Sequence, residues 1–84
     1  MTDTTWLVVN GEASSGLLCR ILGLLAQLDL PAPQMTVTIH QETMAVEMWI
    51  DRFGDHPAQI LANKAARLIG IEHVCLNGLT IPAS

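Results

Sequence analysis

The chain has 84 residues, half of them apolar and only 14% charged, with a formal net charge of −4. At roughly 150 residues per domain this length admits one domain and no cleft between two lobes, and the apolar half excludes a disordered chain. Lys64, Arg20, Arg52 and Arg67 are the only Lys or Arg residues, set against eight carboxylates, so the chain has no electrostatic footprint for nucleic acid or an anionic membrane.

In chain order, Trp6-Leu7-Val8-Val9 reads as a short strand, and Asn10 to Gly16 as a polar loop with two glycines. Leu17, Leu18, Ile21, Leu22, Leu24, Leu25 and Leu28 fall within about a 160° arc at 100° per residue, the signature of an amphipathic helix with a wide apolar face. Ser14 or Ser15 is its expected N-cap, and Pro31 and Pro33 require it to end by Leu30. Leu18, Ile21, Leu22 and Leu25 are expected to pack on the sheet, while Leu17, Leu24 and Leu28 extend beyond a normal core stripe. Residues 35–40 and 44–51 alternate strictly and read as strands, burying Met35, Val37 and Ile39 on one and Met44, Val46, Met48 and Ile50 on the other. Gln41-Glu42-Thr43 is a hairpin connection.

Arg52 to Asp55 reads as a second loop, with Asp55 or His56 capping a helix that Pro57 opens. Ile60, Leu61, Ala65 and Leu68 mark its buried stripe, and Gly70 stops it. Ile71 to Leu76 is the last strand, and residues 78–84 are expected to form a frayed tail behind a single domain over 4–77. The order β-α-β-β-α-β predicts a ferredoxin-like α+β fold, a four-stranded antiparallel sheet with two helices on one face.

Many functions share that fold, so function must come from residues. The loop before the first helix lacks the thiolates of a metal carrier, and it carries Glu12 where an acyl-phosphate hydrolase needs a cation. His40, His73 and Cys75 form only a loose set of metal donors, with His73 and Cys75 two apart on one face. The open sheet face offers Trp49 with Glu47 and Thr38, not the aromatics flanked by basic residues of an RNA-binding sheet. No catalytic constellation, metal site or cofactor is expected. Ser14-Ser15-Gly16 stands at the N-terminus of the apolar helix, where unpaired N–H groups and the helix dipole favour an anion. Gly16 permits close approach of a ligand to the backbone. A capped helix with a glycine in its first turn, and no ligand, explains the same residues.

Gly16-Leu17-Leu18-Cys19-Arg20-Ile21-Leu22-Gly23-Leu24-Leu25 resembles the G-x-L-x-R-(hydrophobic)-x-G-L-(hydrophobic) helix opening of ACT domains. It is most similar to that of the small regulatory subunits of acetolactate synthase (acetohydroxyacid synthase). Met44 to Met48 and Ala66 to Val74 are similar to the short, single-domain form of that subunit, and the resemblance spans about Trp6 to Leu76. It implies a non-catalytic module that pairs into a homodimer or larger assembly. Such a module holds an amino-acid effector near Ser14, Ser15, Gly16 and Leu17, and binds a larger thiamine-diphosphate-dependent catalytic subunit of branched-chain amino acid biosynthesis. Thin charge coverage points the same way: about 4,900 Å² of surface is expected for a chain of 9.1 kDa, which 12 charged side chains cannot cover. Two asparagines of the longer subunits correspond here to Ala13 and Pro31, so weak or no response to valine, leucine or isoleucine is expected. A stand-alone ACT-like module serving another enzyme is the alternative, with a ligand-free adaptor behind it. Two cysteines without a CxxC pair, a non-basic start and no long apolar run imply a soluble protein of the reducing cytoplasm.

Overall fold

Alternation continues past the short run of β-formers at the start of the chain. Thr5, Leu7, Val9 and Gly11 turn inward, and Thr4, Trp6, Val8, Asn10 and Glu12 turn outward, giving one nine-residue strand, β1 (Thr4–Glu12). The computed structural model describes residues 4–51 and 55–83. The seven-residue loop expected after the first strand is therefore cut to Ala13 and Ser14, because Asn10, Gly11 and Glu12 keep the strand's period.

Helix α1 (Ser15–Gln27) buries Leu17, Ile21 and Leu25, a strip about 80° wide displaced toward the Leu24 side of the leucine arc. This corrects the expected face. Leu17 is core and 1% exposed, whereas Leu22, at one edge of the arc, is 43% exposed. The helix stops at Gln27, four positions before Pro31. Asp29 takes a left-handed backbone (φ 54°), its N–H donates to the Ala26 carbonyl, and the Leu30 N–H donates to Leu25, closing a Schellman turn.

Strands β2 (Gln34–His40) and β3 (Thr43–Asp51) form the expected hairpin, with His40 opposite Thr43 and Val37 opposite Val46. Helix α2 (Asp55–Ala66) starts at Asp55, so its cap and residues 52–54 lie outside the described residues. It buries Leu61 with Ala58, Ala62, Ala65 and Ala66, and the four alanines let it lie close over β1 and β4. Ile60, expected in that stripe, faces solvent, and Leu68 is half-buried in the turn leading to Gly70.

Strand β4 (Ile71–Leu76) turns back into a fifth strand, β5 (Leu79–Pro82), through Asn77 and Gly78, both left-handed (φ 48° and 90°). That is the backbone of a two-residue primed hairpin, for which Asn-Gly is the preferred pair. Most of the expected tail is therefore sheet, with Ile81 opposite Val74 and half-buried on the core. Strand order is β2-β3-β1-β4-β5, the ferredoxin-like βαββαβ arrangement with one strand added beyond β4.

Both helices lie on one face, over a core of Leu7, Val9, Met44, Val46, Met48, Ile50 and Val74. The helix-facing row of β2 is left largely outside that cover. Met35 is half-buried, but Val37 is 37% and Ile39 63% exposed, against the expectation that all three are core. Their alternation places them on the buried side of the sheet, yet no helix reaches over an edge strand this far from α2.

A Cβ at Gly11 would lie 2.5 Å from the Gly70 carbonyl oxygen and 2.9 Å from a Leu17 methyl. Gly11→Ala is expected to destabilise by about 1–3 kcal/mol through overpacking. Leu17→Ala or Ile21→Ala should cost about 2–5 kcal/mol, and Leu22→Ala under ~1 kcal/mol. Urea unfolding of the four variants checks the assigned faces.

Candidate functional site

The short β1–α1 connection gives the start of α1 little freedom. The Glu12 N–H donates to the Gly70 carbonyl (2.9 Å) and the Ala13 N–H to the Glu42 carbonyl (2.9 Å), tying the connection to two other turns. Ser14 is the N-cap: its backbone is extended and its Oγ accepts from the Leu17 N–H at 2.9 Å. The Leu18 N–H already donates to the Ser14 carbonyl. Among the described residues, the first-turn amides of Ser15 and Gly16 have no acceptor in the chain. Two donors at a helix start carrying partial positive charge can meet an anion or a carbonyl oxygen.

Beside them lies a groove of about 140 Å³ lined by Ala13, Ser14, Ser15, Leu18, Val37, Ile39 and Met44. One end is polar, from the two serines. The rest is apolar, supplied by α1 and the uncovered row of β2. Such a lining can meet a polar group at the serine end and an aliphatic one along the remainder. The groove's volume is below the ~300–1,000 Å³ usual for enclosed small-molecule pockets.

Of the residues expected at the site, Ser14 and Ser15 line the groove and Gly16 stands one position further into the helix. Leu17 contributes no free donor: Ser14 takes its amide, and its side chain is buried in the core. Val37, Ile39 and Met44 are brought in by the β2–β3 hairpin, more than twenty residues downstream. Their alternation marks them as apolar, but nothing local marks them as lining a site. His73 and Cys75 share the open face of the sheet, as their spacing indicates, and the Cys75 thiol lies 3.6 Å from the Thr80 hydroxyl. Among the described residues no three metal-ligating side chains converge, and no helix is long and apolar enough to cross a membrane.

A family model described as an ACT-like domain matches residues 4–82, nearly the whole chain. The chain belongs to the ACT-like domain family. The ACT domain from the GTP pyrophosphokinase of Chlorobium tepidum, as a crystal structure, superposes with a TM-score of 0.77 at 14% identity, covering 90% of this chain and 99% of that one. The solution structure of the same domain gives 0.75 at 15% identity, covering 89% and 85%. At such identities the likeness is one of fold. No curated protein matches the chain. The matched residues run on to Pro82 and take in β5.

A Cβ at Gly16 meets only the Ser14 Oγ, at 3.8 Å, so the fold does not require glycine there. Ser14→Ala should cost about 1 kcal/mol through loss of the cap, whereas Gly16→Ala should be neutral or stabilising by up to ~1 kcal/mol. Thermal unfolding of both variants, without ligand, measures the difference.

Proposed function

We propose that this chain is a non-catalytic regulatory module that pairs with a second copy of itself and acts by binding. ACT-like domains are typically regulatory, small-molecule-binding modules. The observation that carries the reading is the half-formed groove at the α1 N-terminus, bounded by an uncovered strand. Its occupant is a small carboxylate-bearing molecule of amino-acid type, with the carboxylate at the Ser15 and Gly16 amides and the aliphatic part against Leu18, Val37 and Ile39. The two amides and the helix dipole contribute about 1–2 kcal/mol, far short of the ~8 kcal/mol of micromolar binding. Completion of the site by a second copy is the economical source of the remainder.

Edge chemistry favours β2 for that pairing. Seven residues long, it contains neither proline nor lysine, the usual protections of an open edge, whereas β5 has four residues and ends on Pro82. Leu18 and the exposed Leu22 extend the apolar surface beside it onto α1. Sedimentation should give twice the 9.1 kDa chain mass at micromolar concentration. Ile39→Lys should return it to a folded monomer. A wild-type monomer at that concentration counts against the pairing.

The partner we propose is a larger catalytic subunit, and the likeness of Gly16 to Leu25 to the small subunits of acetolactate synthase makes that thiamine-diphosphate enzyme the first candidate, in the cytoplasm. Adding the chain to an acetolactate synthase catalytic subunit from the same cell should raise its activity. Because Ala13 and Pro31 stand where the longer subunits have asparagines, added valine should leave that activity within about twofold. Calorimetry with valine, leucine and isoleucine should give dissociation constants weaker than ~100 µM, under about 5.5 kcal/mol of binding. If no complex forms, the reading passes to a stand-alone module serving another enzyme, for which thermal stabilisation by amino acids is the screen.

A further inference from the structure

The face of the sheet away from the helices bears both tryptophans of the chain. Trp6 on β1 and Trp49 on β3 are directly opposed, 39% and 37% exposed, although an indole is among the side chains that gain most from burial. Two carboxylates flank them on β3. Glu47 accepts the Trp6 indole N–H at 2.7 Å, and Asp51 accepts the Thr4 hydroxyl at 2.9 Å. Each bond uses one carboxylate oxygen and holds the side chain in place, and among the described residues the other oxygen has no partner. Thr4, Gln34, Trp49 and Asp51 line a hollow of about 350 Å³ beside the indole pair. No lysine or arginine occupies this face among the described residues: Arg20 and Lys64 are on the helices and Arg67 follows α2.

We propose that this open face is a docking surface for a cationic, arginine-bearing segment of a partner protein. One guanidinium lies against Trp49 and pairs with Asp51, and a second cationic side chain of the segment meets Glu47, four residues back along the strand. The site joins the two features that recognise guanidinium, an aromatic face and preoriented carboxylate oxygens. Charge selects the partner class. A second copy docked face to face would set its own Glu47 and Asp51 against these, and a nucleic acid would be repelled. A purely apolar partner would strand Gln34, Thr36, Thr38 and Asn10, which share the face. The inference is independent of the groove at α1, which lies on the opposite side of the sheet.

Because both tryptophans lie here, intrinsic fluorescence reports this surface alone. An acetylated hexa-arginine peptide titrated into the full chain should produce a saturable change in emission, weakened by added salt, with none for hexa-glutamate. Trp49→Ala and Glu47→Gln should each weaken binding by roughly 3- to 30-fold. Glu47→Gln keeps an oxygen to accept the Trp6 indole N–H, so it remains informative if Trp49→Ala does not fold by circular dichroism. Asp29→Asn removes the same unit charge beyond the end of α1 and should leave the affinity within about twofold. Emission indifferent to the peptide, equal weakening by Asp29→Asn, or self-association that shields the tryptophans would each overturn the proposal.

Discussion

The architecture around the groove depends on one close approach. With no side chain at Gly11, the Gly70 carbonyl and the Leu17 side chain meet over the end of β1. That contact joins the end of the first strand, the start of the first helix and the turn leading into β4. The Glu12 N–H then reaches Gly70, and only Ala13 and Ser14 remain to enter α1. A longer connection could place the helix start anywhere over the sheet edge. This one holds the Ser15 and Gly16 amides at a fixed height beside the β2–β3 hairpin, so the polar end of the groove is set before any ligand is present.

The apolar end follows from uneven cover. Alanines along α2 bring it down onto β1 and β4, and α1 spans the remainder with Leu17, Ile21 and Leu25. β2 lies beyond this pair, so a row patterned for burial is left half in solvent. A strand with a core-type face, an unprotected edge and no helix above it is where the proposed second copy would pair. Groove and edge are adjacent, so pairing and ligand binding, as proposed, are coupled through Val37 and Ile39: whatever covers them also closes the groove.

The two faces of the sheet divide the chemistry. The helix side is apolar and offers backbone donors at one helix end. The open side presents paired indoles between fixed carboxylates. If the proposed ligand and partner bind as argued, β3 links them through the sheet, since it contributes Met44 to the groove and Trp49 to the open face.

Much of this was legible in the sequence, because period is a local property. The strand alternation, the leucine arc of α1, the Ser14 cap and the βαββαβ order are all written within windows of a dozen residues. The Asn77-Gly78 turn was equally local: it is a strong hairpin signal followed by Leu79-Thr80-Ile81, and a frayed tail is the wrong reading of it. Other features had no local mark. The leucine arc is wider than the strip of helix a sheet can cover, so whether Leu17 or Leu22 is buried depends on the docking angle of α1. Val37 and Ile39 carry a core pattern and are exposed because cover belongs to the neighbouring layer, not to the strand. Trp6 and Trp49 are 43 residues apart, and only the antiparallel register sets one opposite the other. Periodicity determined which residues share a face; what lies over that face was decided by the packing of helices on the sheet, which no short window of sequence contains.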